Sequence, residues 1–224
     1  MDLAALIIAD SRFPGGGHVH SGGIEEAVVR KLVVSERDLP AFLLSRLRTA
    51  GALAATFAAA AAHATTREVR SGHWRRLDAE FDARTPSQAQ RAASRAQGRG
   101  TARAGRVAWP SPALSDLLGE CPRPHHPIVL GVLVGVPHDA AMAAAYLAVS
   151  GPASAAVRLL GLDPFQVNAV VARLAEPMRE VCAHAADVAG HDPATLPAPS
   201  SPGLDLFAEA HAAQHEEEVR LFAS

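Results

Sequence analysis

Two cysteines, Cys121 and Cys182, in 224 residues exclude a disulfide-stapled scaffold. Aromatic residues make up 4% of the chain, too few for the stacking platforms that hold single-stranded nucleic acid. Charge of one sign is also lacking. A formal net charge of −2 gives no global pull toward nucleic acid or an anionic membrane. Lys31 is the one lysine among 21 basic residues, and a skew that complete toward arginine reads as GC-rich coding bias. Long hydrophobic runs are missing too. The apolar start, Met1 to Ala9, has no basic residues before it and is stopped by Asp10-Ser11-Arg12, unlike a signal peptide. The run Ile128 to Val136 is bounded by prolines and falls well short of the roughly twenty residues of a bilayer span. These absences predict a cytoplasmic protein with reduced thiols and no membrane segment.

What the chain has in abundance is alanine, roughly a fifth of all residues and far above ordinary usage. Alanine is the best helix former, and its small side chain lets helices pack closely. Helical periodicity runs through Leu3–Ala9, Ile24–Leu32, Asp38–His63, Glu68–Ala83, a segment opened by Thr85-Pro86-Ser87-Gln88 and running to about Val107, and Asp163–Val188. Gly151-Pro152 divides Ala140–Ser150 from Ala153–Leu160. Residues 190–203 carry four prolines and read as an exposed linker, before a last helix, Leu204–Val219, and a short tail. With no second strand candidate to pair with it, Ile128–Val136 reads as helix. The expectation is an all-α, single globular domain over residues 1–224, with about eight to ten helices and no sheet. Its subdivisions are an N-terminal Gly/His loop with flanking helices (1–34), the linker (190–203) and the terminal helix with its tail (204–224).

Chemistry-bearing residues are sparse. Gly15-Gly16-Gly17 is followed by no Lys-Ser/Thr and preceded by no strand, so neither a Walker A loop nor a dinucleotide fingerprint fits. The glycines suit a tight excursion between packed helices. In that loop His18 and His20 lie two residues apart, on one side of an extended backbone, as half of a metal site would. Imidazole suits nickel, copper or zinc; the same histidines could equally hydrogen-bond the loop backbone. Cys121 with His125 or His126 is a second soft-ligand set. No nucleophile constellation is present. Residues 67–106 hold ten arginines against four acids, and Arg91, Arg95, Arg99, Arg103 and Arg106 fall on one helical face. After Ala175, nine acids face two arginines. Such faces are either solvated or docking surfaces for charged partners.

The run from Asp10 to Glu25, DSRFPGGGHVHSGGIE, resembles the N-terminal motif of the urease accessory protein UreF family, and the ending Arg220-Leu221-Phe222-Ala223-Ser224 is similar to that family's Arg-Leu-Phe-x-Ser. Arg84-Thr85-Pro86 through Ser94 to Gly98-Arg99, His126 to Gly131, and Ala155 to Leu160 follow in family order. Leu162-Asp163-Pro164 departs from the Gly-Gln-Thr of many members. The resemblance implies an all-α, usually dimeric chaperone without catalytic residues and with no tightly bound cofactor. It implies a protein that bridges UreD (UreH) and the GTPase UreG, modulates GTP-dependent nickel delivery to apo-urease, and meets nickel transiently. On that reading His18 and His20 are candidate nickel ligands. Arg220, Leu221, Phe222, Arg91, Arg95, Arg99 and Arg103 are candidate partner contacts. The rival readings are a helical metal-dependent enzyme using His18, His20 and a distant carboxylate, and a nucleic-acid binder using the arginine stripe. Low net charge and the lack of a helix-turn-helix signal weigh against nucleic acid.

Overall fold

The computed structural model describes residues 2–16, 21–67 and 69–222, with side chains described as far as Gln214. Among them all regular structure is helical: α1 (Leu3–Ala9), α2 (Ile24–Val29), α3 (Leu39–Arg46), α4 (Ala52–Thr65), α5 (His73–Ala83), α6 (Gln88–Ala108), α7 (Pro112–Glu120), α8 (His126–Val134), α9 (Pro137–Leu160), α10 (Pro164–Arg173), α11 (Ala175–Asp187) and α12 (Pro202–Phe222). A π-helical turn, Leu47–Gly51, joins α3 to α4. Counted with that turn as one helix, the described residues form eleven helices and no strand.

Helices α4, α8 and α9 form the centre. Every residue from Ala55 to Ala62 is buried, and so is every residue from Pro127 to Val134. The alanine run therefore meets neighbours on all sides, as a helix without a polar face must. Around this centre α11 packs on α9 and α4, α6 on α8, and α12 on α6 and α2.

Several boundaries differ from the sequence-based expectation. The run Asp38–His63 is not one uniform helix. Its π turn widens the ladder, and the Thr49 hydroxyl donates to the Ser45 carbonyl at 2.8 Å. Asp38 stands at the N-cap of α3, but its carboxylate turns back to accept from the Val34 and Ser35 amides. The cap of α6 is Ser87, accepting from the Gln90 amide at 3.1 Å, so Thr85 and Pro86 lie outside the helix. The helix expected from Asp163 to Val188 is divided at Leu174, while Asp163 does cap its start. Residues 112–120, which carry no element in the sequence-based expectation, form α7. Its Glu120 accepts the Gly72 and Arg75 amides and so caps α5 from 45 residues away.

Two further corrections concern proline-containing segments. Helix α9 runs straight through Gly151-Pro152. That continuity makes it long and apolar enough to cross a bilayer by length and composition, contrary to the expectation that no segment is; here it serves as the bundle's core helix. Proline at 152 removes the amide that would bond the Ala148 carbonyl. Arg46 replaces that donor, its Nε reaching Ala148 O at 2.8 Å. The other segment is the stretch 190–203, which is not simply exposed. Pro193 and Leu196 are buried, a 3-10 turn spans Pro193–Thr195, and Arg84 donates to the Ala194 and Leu196 carbonyls at 3.0 Å each. The carbonyls left open by proline-rich backbone are met by one guanidinium.

Candidate functional site

The described parts of the glycine-rich segment, from Asp10 to Gly15 and from Ser21 to Gly23, form one wall of a cavity of about 1030 Å³, whose other walls come chiefly from α1, α4, α6, α9 and α12. The segment is tied down at both ends. At its start the Asp10 carboxylate accepts the Arg12 amide and guanidinium at 2.8 and 2.6–2.9 Å, and this pairing holds its carboxyl well below the usual range. At its end Gly22 and Gly23 take φ values of 63° and 90°, the left-handed region that suits glycine. Arg46 Nη1 donates to Gly22 O at 2.7 Å. A β-carbon at Gly22 would lie 2.8 Å from Pro152 Cγ and 2.9 Å from Arg46 Cζ. Gly22, Arg46 and Pro152 thus interlock loop, α3 and α9. Burial pushes the Arg46 guanidinium down to about 10.

Helix α12 closes the opposite side. The Glu209 carboxylate accepts from Ser87 Oγ at 2.6 Å and from the Ala89 amide at 2.9 Å, at the N-terminus of α6. The Ser87 hydroxyl, with the backbone amides, holds Glu209 below its ordinary value. Gln90 donates to Asp205 at 3.1 Å, and Arg30 lies over the Phe207 ring. The acidic segment after Ala175 therefore contributes a structural seat as well as a charged face.

Next to α6 lies a second polar group. His125, the N-cap residue of α8, is fully buried; its Nδ1 is 3.0 Å from Ser94 Oγ and its Nε2 2.8 Å from Asp82 Oδ1. Its amide donates to Asp78 at 2.9 Å, and Arg95 Nη2 bridges Asp78 and Asp82 at 2.8 and 2.6 Å. Burial lowers His125 against the pull of Asp78 and Asp82, so the imidazole is held neutral. Asp82 loses by burial but gains more from His125 and Arg95, and sits below its ordinary value. Asp78, Asp82 and His125 are close enough to ligate one metal ion, but Arg95 already stands between the carboxylates and Asp82 holds Nε2. This is a closed lock between α5, α6 and α8. Cys121 takes no part in it; burial pushes its thiol up to about 11, and the neutral thiol is a poor ligand.

The arginine stripe divides. Arg91 donates to the Thr85 and Pro86 carbonyls at 2.7 Å each, and Arg95 is consumed by the lock. Arg99, Arg103 and Arg106 are exposed. His18 and His20 lie outside the described residues. The backbone of α12 continues helically through Arg220, Leu221 and Phe222, whose side chains are also outside the description. Sequence reasoning missed Arg46, Arg84, Glu120 and Glu209. The only local signal for Arg46 was Pro152, which leaves an orphan carbonyl whose partner must come from elsewhere in the fold.

The sequence profile of the UreF family matches residues 33–175. The urease accessory protein UreF of Mycobacterium sp. (strain JLS) is 45% identical over 223 residues, covering 98% of this chain and 97% of that protein. UreF of Mycobacterium tuberculosis (strain ATCC 25618 / H37Rv) is 42% identical over 228 residues, covering 99% of both. The chain belongs to the UreF family. It is accordingly a urease accessory protein that serves urease maturation, and an assembly factor in place of the metal-dependent enzyme considered from the sequence. The UreF relatives span the glycine-rich loop and α12 as well as the region that the profile covers, so the whole cavity belongs to the shared chain.

Proposed function

We propose that this UreF-family chain acts as a cytoplasmic bridge in nickel insertion, as a homodimer within a complex containing UreD (UreH), the GTPase UreG and apo-urease, and that it modulates GTP-dependent nickel delivery. Nickel meets the chain transiently, with His18 and His20 as its contact; a pair of imidazoles without further ligands releases metal readily, as a relay requires. The terminal Arg220, Leu221 and Phe222 dock UreD.

The observation that carries the bridging role is the face of α6. Arg99, Arg103 and Arg106 are exposed and have no hydrogen bond or ion pair among the described residues, whereas Arg91 and Arg95 on the same helix are held internally. A basic face left over after the internal pairs are made steers and orients an acidic partner. The test is capture of UreG and UreD on the immobilised full chain, with and without nickel. Arg99→Glu with Arg103→Glu slows capture at low ionic strength, and the difference shrinks as salt is added. Equal capture by both proteins at every salt concentration removes the α6 face from the interface.

A further inference from the structure

Arg46 carries more hydrogen-bonding capacity than its surroundings use. A guanidinium has five N–H donors. Nε is spent on Ala148 O and one donor of Nη1 on Gly22 O, and no other hydrogen bond or ion pair of Arg46 exists among the described residues. Three donors are left, on a side chain that lines the loop cavity. No carboxylate among the described residues pairs with it. Asp10 is committed to Arg12, Glu26 to Arg30 at 2.7 Å, and Asp205 accepts from Gln90. A sunken charge without a counter-ion is costly, and its cost falls when a carboxylate enters. The two carbonyl bonds hold the guanidinium in place and leave both Nη2 donors and one Nη1 donor to meet the oxygens of a carboxylate. The rest of the cavity is largely apolar, with Ile8, Phe13, Leu53, Leu147, Leu204 and Phe207 on its walls. Three wall acids, Asp10, Glu26 and Asp205, disfavour a dianion such as phosphate.

We propose that the cavity beneath the glycine-rich loop is a binding site for a carboxylate on an apolar stem, with the open edge of Arg46 as its anchor. The carboxylate comes either from a free organic acid or from an Asp or Glu side chain of a docked protein segment; both present the same group. The site is distinct from the exposed α6 face, and the failure of either leaves the other standing.

The experiment titrates the full-length protein with acetate, with hexanoate and with the blocked peptide acetyl-Ala-Glu-Leu-amide, following the backbone amide resonances of Gly22, Gly23 and Ala148. Saturable shifts are expected, with hexanoate binding about tenfold or more tighter than acetate because its methylenes meet the apolar walls. Arg46→Gln weakens hexanoate about tenfold or more, while Arg158→Gln on the cavity rim leaves it unchanged. Arg46→Lys, which keeps the charge and loses the fork, guards against misfolding of the glutamine variant and weakens binding about threefold or more. Saturation by hexanoate but not by the peptide identifies a free acid as the source; competition by the peptide identifies a side chain. No saturation by any of the three probes, or binding by a folded Arg46→Lys equal to wild type, overturns the proposal.

Discussion

Two polar groups are sunk into this helical protein, and they are resolved in opposite ways. Around His125, both ring nitrogens, the backbone amide, two carboxylates and a guanidinium all find partners within 3.0 Å, from three different helices. Around Arg46, two carbonyls take two donors, and the rest are without partners among the described residues on a side chain that lines a cavity. The first arrangement leaves nothing for a ligand to gain and so fixes structure. The second holds a charge in place without neutralising it, which is the condition for binding. A buried histidine next to two aspartates looks like a metal or catalytic centre on residue types alone. Satisfaction of the donors, more than identity of the residues, tells the two apart.

The contrast breaks most severely if the closed group is forced open. Gly98 lies under the lock, where a β-carbon would stand 2.1 Å from Pro124 O and 3.1 Å from the His125 carbonyl carbon. Those are backbone atoms and cannot swing aside, so Gly98→Ala should cost about 3 kcal/mol by denaturant unfolding. Next in size is Arg95→Met. It leaves Asp78 and Asp82 facing each other without the cation. Asp82 remains partly open to water, which reduces the penalty to about 2 kcal/mol. A loss below about 0.5 kcal/mol would mean that the carboxylates do not depend on Arg95.

A smaller effect sharpens the comparison through pH. His125 is held neutral by burial, so its folded-state value lies below the ordinary 6.5. The unfolded chain therefore binds more protons below pH 6.5. The stability linked to His125 is complete above that pH and is lost as pH falls toward the folded value. Unfolding free energy, measured by denaturant titration, should drop more steeply between pH 6.5 and 5 in wild type than in His125→Gln, with a difference in slope of at most about 1.4 kcal/mol per pH unit. Parallel profiles would show that the imidazole titrates as if exposed.

Much of the fold was legible because helices are local. The apolar spacing gave α1, α4 and α5, and Asp163-Pro164 marked the start of α10, because cap, proline and periodicity all act within a few residues. Pro152 misled for a physical reason. Its penalty is an orphaned carbonyl and a clash, and the carbonyl is met by Arg46, 102 residues away. Arg84 likewise holds carbonyls 110 and 112 residues away, which turned an apparent linker into a packed segment. The arginine stripe was visible as a pattern, but which of its members are free depends on Asp78, Asp82 and the carbonyl of Arg123, contributed by other elements. The loop is singled out by its own residues, whereas the charge beneath it is signalled only by the carbonyl that Pro152 orphans in a distant helix.

The smallest expected effect tests where the open region ends. Thr101 is fully buried beneath Gly15 and lines the same cavity as Arg46, yet its hydroxyl has no partner among the described residues. A buried hydroxyl without a hydrogen bond is a net cost, and an apolar replacement of the same shape removes that cost. Thr101→Val should therefore leave stability unchanged or raise it by up to about 1 kcal/mol in denaturant unfolding. Such a result would place Thr101 on the dry side of the cavity wall, leaving Arg46 as its polar anchor. A loss of more than about 1 kcal/mol would instead mean that the hydroxyl bonds to water or to an occupant inside the cavity. The polar lining would then extend from Gly22 to Gly15.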